Sequence, residues 1–372
     1  MSAHTLHRRG LIPAILILLA LGYWWLRPHP PKIIAIGYVA DRNVTVWNTL
    51  ALVRQPIEEL HYGDRVEVVR QEGTAAQVHT ASGALGWLLD TRQMMDSALW
   101  GQSAALFARA RTMPVQARGQ TKAVSNVRVE PGRNGRRIFQ FMRGTPVLVL
   151  RRAIADAPQS NDEISSDEKV AGGEEQKPKK EDWLLVLRAE NPIPASAAST
   201  AGTRSMASAG PVSGGPRSRE LPSPTAGSPA PSVAGWVLAR FIEPDLPGPV
   251  RDYATSATLR VVAWFELNRV PDGSGGEAPQ YLVALSRGGQ GQACDFTMLR
   301  VYTWGSVRKR YETAYVESNL CGRLPIQVSR TPAGPQFHFA EAGENTAERN
   351  YIMRLTTVRR IKGERDESVR RR

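Results

Sequence analysis

The chain of 372 residues is long enough for two or three small domains. Its 42% apolar content supplies cores, which excludes a wholly disordered protein, yet it is slightly low because part of the chain is not globular. The 48 Lys and Arg against 35 Asp and Glu leave a formal charge of +13. That balance suits anionic partners such as nucleic acid, lipid headgroups or cell-wall polymers, and equally a merely solvated surface on an exported protein.

The N-terminus reads as an export signal. His7-Arg8-Arg9 precedes a 16-residue apolar run over 11–26, and Arg27 with a Pro28-His29-Pro30-Pro31 stop follows it. The run is a little under the roughly 17–25 residues of a spanning helix. Tyr23, Trp24 and Trp25 suit the membrane interface. With no small-x-small cleavage site and no cysteine there, residues 1–32 are expected to be an uncleaved signal-anchor. The protein would then cross the inner membrane once, with the bulk of the chain exported.

Two following stretches repeat one another. The first holds Asn43-Val44-Thr45-Val46-Trp47, then Tyr62-Gly63-Asp64-Arg65-Val66-Glu67-Val68, then Gly86-Trp87-Leu88. The second holds Asn126-Val127-Arg128-Val129-Glu130-Pro131, then Arg143-Gly144-Thr145-Pro146-Val147-Leu148-Val149, then Gly235-Trp236-Val237. An internal repeat sets the architecture before any other signal. Alternating Asn-Val-x-Val suits a half-buried strand, and Gly63 and Gly144 suit the tight turn into the next strand. The copies span 33–95 and 113–244, joined by an Ala-rich helix over 96–112. The larger spacing from Gly144 to Gly235 than from Gly63 to Gly86 places an insertion in the second copy. Its parts, 153–182 and 189–234, are charged or rich in Ala, Ser, Gly and Pro, and both are expected to be disordered. A strand over 183–188 separates them.

These motifs resemble the bacterial Src-homology-3 domain family. Asn126-Val127-Arg128 with Pro131-Gly132, the Gly63-Asp64-Arg65-Val66 turn and the late Gly-Trp-Val carry the likeness over 37–95 and 113–244. Thr45 and Asn48 depart from the family's arginine and proline, and Thr145 from its turn aspartate. The resemblance implies two small β-barrels that bind cell-wall peptides or act as targeting modules. Trp87 and Trp236 are expected in the cores, since both copies hold them at one place.

A third unit over 255–361 reads as an antiparallel β domain. Its expected strands are 259–267, 280–286, 295–303, 311–317, 324–328, 336–339 and 351–358, separated by Gly, Pro or Asn turns. The whole chain is thus mainly β. In an exported protein its only cysteines, Cys294 and Cys321, read as one disulfide, against the alternative of two buried thiols. The basic tail 362–372 closes the chain.

Enzyme motifs are missing. No Gly-x-Ser-x-Gly elbow, phosphate loop or dinucleotide fingerprint occurs. His61, His79 and His338 fall in separate segments, so no metal site is expected, and neither cysteine has the surroundings of a cysteine hydrolase. No catalytic residue and no cofactor is expected. A binding role rests on Trp47, whose matching position in the second copy is expected to hold Glu130 rather than an aromatic residue, and on Arg65, Arg128 and Arg133, with Arg136 and Arg137 beside them. The expected partner is cell-wall peptidoglycan or an envelope protein, with the membrane held through the N-terminal helix and nucleic acid disfavoured. The alternatives are a cell-wall enzyme with an unrecognised site in the third unit, or a binder of nucleic acid or anionic lipid.

Overall fold

The computed structural model describes residues 32–157, 179–189, 232–342 and 348–361. The expected anchor, the tail 362–372 and most of both insertion segments lie outside these residues. Among the described residues no helix is long and apolar enough to cross a membrane.

Alternation builds the first copy. Val44 and Val46, then Val66 and Val68, then Ala76 and Val78 point inward and form one core, while their neighbours face outward. The strands are β1 (Ala35–Val39), β2 (Asn43–Trp47), β3 (Pro56–His61), β4 (Arg65–Glu72), β5 (Ala75–His79), β6 (Leu85–Leu88) and β7 (Met94–Asp96). The second copy has β8 (Ala117–Thr121), β9 (Ser125–Arg128), β10 (Arg137–Phe141), β11 (Pro146–Asp156), β12 (Lys180–Arg188), β13 (Ala234–Leu238) and β14 (Ile242–Pro244). The first sheet is ordered β3-β2-β6-β5-β4-β1-β7 and the second β10-β9-β13-β12-β11-β8-β14, all antiparallel. The two orders are the same topology. β12 lies between β11 and β13, and it starts at Lys180 rather than 183, while β11 runs to Asp156. The segment expected to be without structure is therefore narrower than 153–182 at both ends.

The repeat aligns two residues away from its sequence match. A Cβ on Gly86 would lie 2.5 Å from Val46 Cγ1 and 2.8 Å from the Trp47 carbonyl oxygen. On Gly235 it would lie 2.5 Å from Val127 Cγ1 and 2.8 Å from the Arg128 carbonyl oxygen. Val46 therefore corresponds to Val127 and Trp47 to Arg128. The strand irregularity between Val68 and Arg70 recurs between Val149 and Arg151, in the same relative place. Gly63 and Gly144 match too, and both have the positive φ their turn requires, 89° and 77°.

The helix Ser97–Ala110 connects the copies, with the Asp96 carboxylate accepting from the Leu99 N–H at 2.7 Å as its N-cap. Its buried Leu99 joins Met95 of the first copy and Val127, Ile138 and Phe139 of the second in one core. Tyr62 of the first copy meets Phe139 of the second edge-on at 5.0 Å. Trp87 is buried as expected, but Trp236 is half-buried, packed against the cluster that holds Leu106 and Ala110 of the helix.

The third unit holds β15 (Arg260–Pro271), β16 (Glu277–Ser286), β17 (Met298–Gly305) and β18 (Arg310–Glu317) in one sheet. β19 (Gly322–Thr331), β20 (Gly334–Glu341), β21 (Glu348–Arg354) and β22 (Thr357–Ile361) form a second. Leu282, Leu299 and Val301 of the first pack with Ile326, Phe337 and Tyr351 of the second in a shared core. The last expected strand, 351–358, is in fact two strands, reversed at Leu355, which takes a positive φ of 55°. Cys294 and Cys321 form a disulfide. A helix, Gly248–Ser256, leads into this unit ahead of the expected strands. Gln116 ties the unit to the second copy: its buried side chain donates to the Ile326 carbonyl at 3.1 Å and accepts from the Ile326 N–H at 2.8 Å.

Candidate functional site: an arginine cleft between the copies

A cleft of about 630 Å³ opens where the two copies meet. Asp41, Asp90 and Arg92 line it from the first copy, and Arg128, Arg136 and Arg137 from the second. Asp41 stands before β2, and Asp90 caps the turn that follows β6. The arginines come from β9, from the start of β10 and from the loop just before it.

Most of these charges are already matched. Asp90 accepts from Arg92 Nε at 3.0 and 3.1 Å and from the Arg92 N–H at 2.9 Å, which holds its carboxyl below the usual range. Arg137 crosses from the second copy, donating to Asp41 at 2.9 Å and to the Arg92 carbonyl at 2.7 Å. Arg136 pairs with Asp96, and that hydrogen bond, with the one from Leu99, lowers the Asp96 carboxyl. Arg128 differs. It donates to the Gly135 carbonyl, and among the described residues no carboxylate lies within ion-pair distance of it. Burial first, and then the charges of Arg133 and Arg137, push its guanidinium below its ordinary value. A half-buried cation facing other cations is a place where an incoming anion gains most.

The other residues singled out from the sequence stand elsewhere. Trp47 is half-buried rather than displayed, opposite Trp87, with the Arg54 guanidinium 4.8 Å above its ring. Its counterpart in the second copy is Arg128, not Glu130. Arg65 is exposed and pairs with Glu67 at 3.0 Å. Arg133 is committed to Glu181 through two hydrogen bonds of 2.7 and 2.9 Å. Sequence reasoning missed Arg92, Asp41 and Asp90, because nothing local marks loop residues that only the packing of two copies brings together. His338 lies 3.5 Å from Glu348, and among the described residues no three His, Cys, Asp or Glu side chains gather as metal ligands.

No family model matches this chain, and neither a curated protein nor a solved structure matches it.

Proposed function

We propose that this chain is a non-catalytic envelope protein, anchored once in the inner membrane, that binds the carboxylates of a cell-wall glycopeptide in the cleft between two Src-homology-3-like barrels. Each copy is a seven-stranded antiparallel sheet, and the shared strand order supports reading both as one small β module. The observation that carries the reading is Arg128, a half-buried guanidinium without a carboxylate partner among the described residues, in a cleft lined by three further arginines. A carboxylate would complete it as a charge-assisted pair. The cysteine bridge suits an exported domain. An envelope protein with an acidic tail has the same chemistry and is the competing partner.

Co-sedimentation of residues 33–372 with purified cell-wall sacculi tests this. Binding is expected to be saturable and lost in Arg128→Ala. Equal sedimentation of the variant, or binding of duplex DNA that falls steeply with salt in place of binding to the wall, would overturn the reading. Release of soluble wall fragments would return the enzyme alternative.

A further inference from the structure

The outer face of the sheet β15–β18 carries aromatic rings. Tyr281 of β16 lies 5.8 Å from Tyr311 of β18, and Tyr311 meets Trp304 of β17 edge-on at 5.3 Å. The helix Gly248–Ser256 covers one end of this face and adds Tyr253, 5.3 Å from Tyr302. Between the helix and the strands lies a cleft of about 520 Å³. Tyr302 is buried at its floor, while Tyr253, Trp304 and Tyr311 are half-buried in its walls. The rim carries exposed Asp252 and Arg310.

The rings are held before any ligand arrives. The Trp304 indole N–H donates to the Asp272 carbonyl at 3.0 Å, and the Arg300 guanidinium lies 4.0 Å from the centre of the Tyr253 ring. Rings on paired strands lose little freedom on binding, so their contact area converts efficiently into affinity. Asp252 and Arg310 on the rim, with Glu312 3.7 Å from Arg310 and Arg300 against the Tyr253 ring, leave the cleft without net charge, which argues for a neutral ligand. The ligand must offer apolar faces to the rings, donors to Asp252 and acceptors to Arg310. A proline-rich peptide also docks on aromatic grooves, but its prolyl residues lack the N–H that Asp252 needs. A pyranose has apolar C–H faces and hydroxyls that both donate and accept. We propose that this cleft binds a neutral saccharide chain, its rings stacked on Trp304 and Tyr311 and its hydroxyls bonded to Asp252 and Arg310.

The experiment titrates residues 33–372 with the hexamer of N-acetylglucosamine, followed by tryptophan fluorescence and by calorimetry. A saturable emission change that is indifferent to salt is expected, because no ion pair forms. Trp304→Ala should weaken binding by about tenfold or more, a typical loss for a stacked ring in a binding site. Asp252→Asn, an exposed helix residue whose change leaves the fold intact, should weaken it severalfold. Arg128→Ala should leave this titration as in the parent, so that failure of the arginine cleft and failure of the saccharide site are read separately. The absence of a saturable response would overturn the proposal, as would parent-like binding by both cleft variants. So would a proline-rich peptide that saturates the site where the hexamer does not.

Discussion

Arg128 and Trp47 occupy one position in the two copies, at the strand end facing Trp236 and Trp87 respectively. The first copy fills it with an indole under the Arg54 guanidinium, and the second with a cation among cations. Removing the Arg128 side chain should relieve repulsion from Arg133 and Arg137 and give up its hydrogen bond to the Gly135 carbonyl, two effects that oppose each other. Arg128→Ala is expected to melt close to the parent temperature while losing wall binding. A large fall in melting temperature would show that the residue is structural. The glycines before the two tryptophans are the opposite case. A methyl at Gly235 would sit 2.5 Å from Val127 Cγ1 and 2.8 Å from the Arg128 carbonyl, which is rigid backbone. Gly235→Ala should cost about 1–3 kcal/mol, the usual range for overpacking a filled site. Gly86→Ala should cost a similar amount, since the same atoms surround it. Unequal costs by thermal melting would mean that the copies are less alike than their contacts.

Strands with strict alternation and a flanking glycine were legible in the sequence. Val66 and Val68, Val147 and Val149, and the two Gly-Trp starts mark β4, β11, β6 and β13 at their true places. The Asn-Val-x-Val match was misleading by two residues, and the reason is the period of a strand: a shift of two keeps every side chain on its own face. Only tertiary contact, the Gly86 and Gly235 approaches, fixes the register. β7 and β14 were illegible because three residues carry no period, and each exists by pairing with the strand that opens its copy. Of the arginine cleft, the sequence offered Arg128, Arg136 and Arg137 as basic residues but not Asp96 and Asp41, the partners of Arg136 and Arg137 across the joint. One pair within the second copy gives a pH test. Arg133, in the loop between β9 and β10, binds Glu181 of β12, whose side chain is 7% exposed. The hydrogen bond from Arg133 holds the Glu181 carboxyl below its ordinary 4.5 against the opposing effect of burial. A carboxylate depressed in the folded state stabilises above its unfolded pKa, and that contribution fades as pH falls through the lower folded value. The parent should thus lose melting temperature more steeply than Arg133→Met between about pH 5 and about pH 3. Parallel curves for the two proteins would remove Glu181 from the acid response.

Across the whole molecule, the second copy and the third unit are fastened by a buried charge. The Arg152 side chain is 0% exposed, and its partners Asp182 and Asp295 are 1% and 6% exposed. Arg152 lies on β11 and Asp182 on β12, while Asp295 follows Cys294 in the third unit. Burial alone would lower the Arg152 guanidinium, but the hydrogen bonds to Asp182 and Asp295 outweigh it and hold the group above its ordinary value. Asp182 also accepts from the Gly291 N–H at 2.8 Å, and Asp295 from the Leu324 N–H at 2.8 Å. The disulfide closes the two segments that supply these donors, because Gly291 precedes Cys294 and Leu324 follows Cys321. Arg152→Met would leave Asp182 to the more distant Arg260 at 3.4 Å and Asp295 to Arg323 at 3.7 Å, a loss of up to about 3–5 kcal/mol for a broken buried pair. Cys294→Ala with Cys321→Ala frees a loop of 27 positions, which costs roughly 3–4 kcal/mol on the chain-entropy argument. The two defects meet at one joint, so their combined cost should fall short of their sum. Calorimetry of the four proteins reads this directly: the single defects should lower the transition or split it as the third unit separates. Full additivity of Arg152→Met and the cysteine pair would show that the bridge and the buried arginine hold the units independently, and the joint would have to be divided in two.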